Sequence, residues 1–287
     1  MKSVSTSACT LFQKLALIIL FAAAGTLLIV VFSPWDPLLK GKADYLGRMG
    51  VIAFFVLLYL IARRTGIMTR YKEVIYGFLA LAVVVTLDWV FSLHVIKQLG
   101  MRADTPPEIA LVKLNEFVVV AAVIIAFTLA SGKHLGEIYL QKGRLKLGLI
   151  IGAACFLAFV IGGIPMSSAW FQGRELAVAK VIPWIPWVLI FVFANSILEE
   201  LMFRGLFLRK LEPLLGKFFS NLTIALVFTL IHYAVTYTAD QLSFLLILFP
   251  LALVLGWLAQ KTDALWASIL LHAGMDIPVI LAIFSNL

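Results

Sequence analysis

Long apolar runs separated by short polar segments dominate the chain. A bilayer core of about 30 Å takes roughly 20 helical residues per crossing. On that measure the pattern predicts nine helices, over about 15–33, 45–62, 74–96, 112–131, 146–164, 183–208, 218–237, 241–260 and 264–284. Unpaired backbone groups cannot face lipid, so runs of this length are expected as helices. The first run follows Lys14, and its apolar stretch from Leu15 to Phe32 exceeds the about 7–15 residues of a signal-peptide core. It is therefore expected to be a retained helix. Only Lys261, Thr262 and Asp263 separate the last two runs, which predicts a tight helical hairpin. Segment 165–182, with Trp170, Phe171 and Arg174, is expected as an interfacial piece between helices.

Composition agrees with this pattern. Of the 287 residues 63% are apolar and 13% charged, with a mean hydropathy of +1.06. A soluble domain carries about 25% charged residues, so a soluble enzyme and a disordered chain are excluded. The expected fold class is all-α: a polytopic transmembrane helix bundle of about eight or nine spans in a lipid bilayer. The net charge of +8 does not point to nucleic acid, because the cations sit in short loops between apolar runs. Segments 63–73, 132–146 and 209–217 hold eleven Lys and Arg, and the intervening segments hold seven. This alternation predicts a cytoplasmic N-terminus. Cys9 and Cys155 are not expected to form a structural disulfide. The basic stretch from Leu135 to Lys146 is the one plausible seam, dividing N-terminal helices (1–134) from a C-terminal domain (135–287).

Ionisable side chains within membrane spans are costly and mark function by default. Asp88 and His94 lie in the third run, Glu199 and Glu200 in the sixth, His232 in the seventh, and His272 and Asp276 in the ninth. Five of these seven fall on three neighbouring helices of the C-terminal half, which predicts a polar cavity there. Glu200 and Arg204 are spaced i,i+4, within ion-pair reach on one helix face. Adjacent helical residues point about 100° apart, so Glu199 is expected to project elsewhere, free for acid–base work. Phe228 stands one turn before His232, where its ring can pack on the imidazole. His272 and Asp276 repeat the i,i+4 spacing; the carboxylate can orient the imidazole or join it in holding a metal or an oxyanion. Gly274 between them allows close approach of another helix or of substrate backbone. Each signal taken alone also suits a structural ion pair or helix–helix hydrogen bond.

Glu-Glu-x-x-x-Arg (199–204), then Phe-x-x-x-His (228–232), then His-x-x-x-Asp (272–276), each on its own helix and in that order, resembles the signature of the CPBP intramembrane proteases. That family includes the type II CAAX prenyl endopeptidases and bacteriocin-processing enzymes. The likeness extends over about residues 135–280, including the approach segment Leu135-Gly136-Glu137 to Gly148. It implies a glutamic intramembrane endopeptidase without a cofactor. Glu199, helped by His232, would bind and deprotonate water; His272 with Asp276 would polarise the carbonyl and stabilise the oxyanion. Glu200, Arg204 and Phe228 would support them. The prenyl endopeptidases have Asn where this chain has Asp276. An ionised carboxylate cannot donate to an oxyanion, so Asp276 either carries a proton or orients His272.

Zinc-dependent hydrolysis by the same residues is the first alternative, since two histidines and carboxylates suit zinc, although His-Glu-x-x-His does not occur. A catalytically inactive scaffold or a transporter with an ion path through Asp88 is the second. Asp88 and His94, six residues apart, do not share a helix face and are expected to be structural. The expected partner is a peptide or protein substrate at the membrane, anchored or lipidated. The expected setting is a prokaryotic plasma membrane.

Overall fold

A computed structural model describes residues 10–287 except Trp35, Ile67 and Ala234, with the side chains of residues 93–95 and 97 also set aside. Cys9 and the side chain of His94 therefore lie outside the described residues. Eleven α-helices follow one another without a strand among the described residues: α1 (Leu11–Val31), α2 (Lys42–Arg64), α3 (Lys72–Gln98), α4 (Pro106–Ala130), α5 (Leu145–Trp170), the short α6 (Val178–Val181), α7 (Ile185–Glu200), α8 (Arg209–Leu215), α9 (Lys217–Ile231), α10 (Gln241–Thr262) and α11 (Trp266–Ser285). A π-helical stretch, Leu201–Leu208, joins α7 to α8 in one continuous rod. Eight of these segments are long and apolar enough to cross a membrane, and Lys217–Ile231 is a shorter apolar helix. The protein is an integral membrane protein built as a polytopic helical bundle.

Local chemistry sets the helix ends. Thr10 and Gln13 form a reciprocal capping box at the start of α1, satisfying amides that the first turn leaves unpaired. Thr105 caps α4, with Pro106 and Pro107 in its first turn. Asp240 accepts from the Ser243 amide to start α10. These two hydrogen bonds from Ser243, through its hydroxyl and its amide, hold the Asp240 carboxyl below the usual carboxylate range. The chain reverses after α10 through Asp263, which takes a left-handed conformation at φ 56, and α11 returns antiparallel as the expected hairpin.

Two expectations about spans are corrected. The seventh helix stops at Ile231 rather than near 237. The amides of His232 and Tyr233 bond three residues back, to Thr229 and Leu230, which tightens and ends the turn, and residues 235–240 run on without helical structure. The interfacial segment also begins later than expected. Helix α5 continues through Pro165 to Trp170, leaving residues 171–177 outside helices.

The approach segment locks onto the hairpin turn. Leu265 donates its amide to the Tyr139 carbonyl at 3.2 Å and Arg144 donates to Thr262 at 2.6 Å. The Gln141 side chain donates to the Asp263 carbonyl and carboxylate, and Trp266 donates to the Gln141 carbonyl. Gly143, at φ 50, is required twice over, since a Cβ there would sit 2.4 Å from the Thr262 carbonyl oxygen. Arg209 pairs with Asp263, Tyr139 bonds Glu212, and Lys133 pairs with Glu73. The cation-rich segments thus gather at one end of the bundle.

Helices α5 and α11 pack along glycines. A Cβ on Gly152 would lie 2.8 Å from Leu270 and 3.2 Å from the Ala267 backbone, and one on Gly274 would lie 3.1 Å from the Phe156 backbone. The close approach expected at Gly274 is therefore made by α5. In α2, Arg48 donates to Asp44 and to the carbonyls of Phe32, Val85 and Ser33. Ser92 donates to Asp88 at 2.6 Å, and Asn115 donates to Ser92, so Asp88 helps tie α3 to α4. Gly152→Val is expected to cost about 1–3 kcal/mol by overpacking. Gly50→Ala, where nothing lies within 4 Å, is expected to leave stability unchanged. Thermal unfolding in detergent measures both.

Candidate active site

The site starts on α7, where Asn195 and Glu199 stand one turn apart and Glu200 follows on an adjacent face. Beyond Glu200 the helix widens into the π-helical stretch, an arrangement that is rare and frequent at functional sites. Arg204 lies within it, wholly buried like Glu200. Its Nη1 donates to Glu200 Oε1 at 2.9 Å and its Nη2 to the Ala252 carbonyl at 3.0 Å. The expected ion pair is present. Its guanidinium also lies 4.6 Å from the Phe228 ring centroid, a cation–π contact that a desolvated arginine favours.

His272 on α11 reaches this pair directly. Its Nδ1 lies 2.9 Å from Glu200 Oε1. A carboxylate accepts, so Nδ1–H donates and the ring orientation is fixed. Nε2 is thereby turned toward Glu199 Oε2 at 3.6 Å and Asp276 Oδ1 at 3.8 Å. The adjacent glutamates thus take separate directions and still meet the same ring. They do leave the helix apart, but an imidazole presents nitrogens on two edges, and each carboxylate addresses one. Asp276 is itself held by Asn195, whose Nδ2 donates to Oδ2 at 3.0 Å.

His232 stands at the C-terminal end of α9, where its Nδ1 donates to the Phe228 carbonyl at 2.6 Å. The Phe228 and His232 rings are 4.7 Å apart, and Phe228 and His272 meet edge-on at 5.6 Å. Phe228 is therefore the apolar centre around which Arg204 and both imidazoles are arranged. Gln241 donates to the His232 carbonyl at 2.8 Å, which secures the end of the short helix.

Several of these groups line a cavity of about 690 Å³. Glu199, His232, His272, Asp276 and Asn195 form its polar floor. Phe159, Trp170, Phe171, Phe191 and Phe244 form much of its wall, and the turn 235–240 supplies the rest of one side. This volume lies in the range of small-ligand and peptide-side-chain sites, about 300–1,000 Å³. The cavity lies in the half of the bundle away from the cation-rich end, since α9 ends and α10 begins there. Among the described residues, no group of three His, Cys, Asp or Glu side chains is arranged to hold a metal ion. Nδ1 of each histidine is engaged by protein, by Glu200 or by a carbonyl.

The structure brings Glu199, Glu200, Arg204, Phe228, His232, His272 and Asp276 together, and leaves Asp88 in the α3–α4 contact. Sequence reasoning passed over Asn195 and Lys113, which also line the cavity. Asn195 carried a usable signal, an amide in an apolar run one turn before Glu199.

Residues 180–278 match the family described as Type II CAAX prenyl endopeptidase Rce1-like. Over this segment, about a third of its length, the chain is similar to the CPBP family of intramembrane proteases. It is accordingly an intramembrane endopeptidase, a peptide hydrolase whose protein or peptide substrate is met at the membrane. The matched segment runs from α6 to within α11 and contains every motif residue, whereas the approach segment 135–148 lies outside it. Neither the curated proteins nor the solved structures compared with the chain give a match.

Glu200→Ala is expected to strand the Arg204 charge and cost about 3–5 kcal/mol. A lower thermal midpoint in detergent, larger than that of Glu199→Ala, is the measurement.

Proposed function

We propose that the protein cleaves peptide bonds of membrane-anchored or lipidated substrates with water activated by Glu199. The observation that carries this reading is the convergence of Glu199 and Asp276 on Nε2 of a His272 whose other nitrogen is held by Glu200. Glu199, facing the cavity, takes a proton from water. The resulting hydroxide attacks the scissile carbonyl, and the proton is passed to the departing amine. His232, with Nδ1–H committed to the Phe228 carbonyl, keeps Nε2 as an acceptor that helps hold the water.

His272 works as an imidazolium, donating from Nδ1 to Glu200 and from Nε2 toward the oxyanion. A donor preorganised in a water-poor site is worth far more than one in bulk solvent. Asp276 accepts from Asn195 and serves as an orienting carboxylate, so the departure from Asn at this position shifts the donor role to His272. Glu200 and Arg204 fix the ring and balance charge. The aromatic wall suits an apolar or lipid-bearing substrate segment.

The cation-rich end of the bundle is assigned to the cytoplasm by the excess of Lys and Arg in its loops. The N-terminus then lies in the cytoplasm and the cavity in the outer half of a prokaryotic plasma membrane.

Glu199→Gln is expected to remain folded and membrane-inserted while cleavage falls about 10²–10⁴-fold. The measurement is cleavage of a labelled single-span peptide and of its lipidated counterpart in liposomes. Cleavage of both at the wild-type rate removes Glu199 from the base role.

A further inference from the structure

Helix α4 lies outside the segment that matches the family, yet it sends one side chain to the cavity wall. Lys113 is the only Lys or Arg lining that cavity among the described residues. Its Nζ lies 2.5 Å from Glu116 Oε2, one turn further along α4, and Glu116 is almost wholly buried. The ammonium also lies 5.9 Å from the Phe191 ring centroid on α7. Glu116 on α4 is its ion-pair partner, and Glu199 on α7 and Asp276 on α11 line the same cavity, while Asp88 on α3 adds to the carboxylates that act on its charge.

The charge balance there is uneven. Both Arg204 and Lys113 have a carboxylate partner, but Arg204 does not line the cavity, whereas Lys113 lines it together with Glu199 and Asp276. His272 supplies at most one positive charge for these two carboxylates, Glu199 and Asp276. Hydrolysis then adds a further negative charge as the carbonyl oxygen becomes an oxyanion. In a low-dielectric site such an excess is expensive, and a fixed cation in the cavity wall lowers the cost. Glu116 holds the lysine stem against the wall, so the charge is aimed before substrate arrives.

We infer that Lys113 is a positioning residue of the hydrolytic site, whose ammonium, held by Glu116, offsets the carboxylate charge of Glu199 and Asp276 as the oxyanion forms. The inference rests on the reading of Glu199 as the base and extends it to the N-terminal helices. It assigns them a part in the chemistry rather than in anchoring alone.

The rival role for Lys113 is purely local, to neutralise the buried Glu116. Four variants separate the two: Lys113→Met, Lys113→Arg, Glu116→Gln, and Lys113→Met combined with Glu116→Gln. Each is reconstituted in liposomes of phosphatidylethanolamine and phosphatidylglycerol, and cleavage of a labelled single-span peptide gives kcat and KM. Thermal unfolding in detergent is measured alongside. Lys113→Met is expected to lose about tenfold or more in kcat with KM held within about twofold, since the charge acts on the transition state. Lys113→Arg retains most of the activity, whereas Glu116→Gln, which releases the ammonium from its holder, lowers kcat by less than Lys113→Met does. The double variant, with no stranded buried charge, unfolds at the wild-type temperature and stays as slow as Lys113→Met. A double variant with wild-type kcat overturns the inference, because neutralising Glu116 is then all that Lys113 does. Full activity of Lys113→Met overturns it too. Should Lys113→Met alone fail to fold, the double variant and Lys113→Arg decide the matter. Glu199→Gln in the same assay distinguishes the failures: if it is inactive while the double variant is fast, only the role of Lys113 falls.

Discussion

A charge carried into the bilayer has to bring its counter-charge and its hydrogen bonds with it. The Arg204 guanidinium meets that demand by binding Glu200 and the Ala252 carbonyl and by lying over Phe228. Every other feature of the site is fixed relative to it. Glu200, pinned by the arginine, holds Nδ1 of His272. That hydrogen bond turns Nε2 toward the cavity, where Glu199 and Asp276 wait. Removing one member leaves the others desolvated and unpaired, which is why such clusters act as units.

The same constraint shapes the bundle away from the site. Several polar side chains on the membrane helices bond to carbonyls of neighbouring segments: Arg48 bridges α2 to the α1–α2 connection and to α3, Asn221 donates to Leu253, and Ser268 donates to Leu255. Between α5 and α11, where there is no polar glue, glycines permit contact of backbones instead. The hairpin turn at 262–265, clamped by the approach segment, fixes the start of α11 and so the depth at which His272 and Asp276 stand.

The helices and the candidate site were legible in the sequence for different reasons. Span positions followed from apolar run length, because lipid leaves the backbone no alternative to helix. The site residues stood out because Glu199, Glu200, His232, His272 and Asp276 were costly groups on apolar helices, and i,i+4 spacing gave the Glu200–Arg204 pair directly. What spacing could not convey was how the helices face one another. The sharing of His272 by both glutamates depends on α11 entering between their two directions, a tertiary fact. Asn195 and Lys113 were overlooked for the same reason: their significance lies in what they face across the cavity. The end of α9 at Ile231 was hidden because Tyr233, Val235 and Tyr237 continue an apolar pattern past the point where the helical hydrogen bonds stop.

The central claim is that water, activated by Glu199, attacks the peptide carbonyl directly. A single-turnover reaction in ¹⁸O-labelled water, with enzyme in excess over peptide, tests it most directly. Direct attack predicts one ¹⁸O atom in the new carboxylate of the product and none in Glu199. Unlabelled product together with ¹⁸O in the Glu199 side chain would mean that the glutamate itself attacked the carbonyl, and would contradict the account.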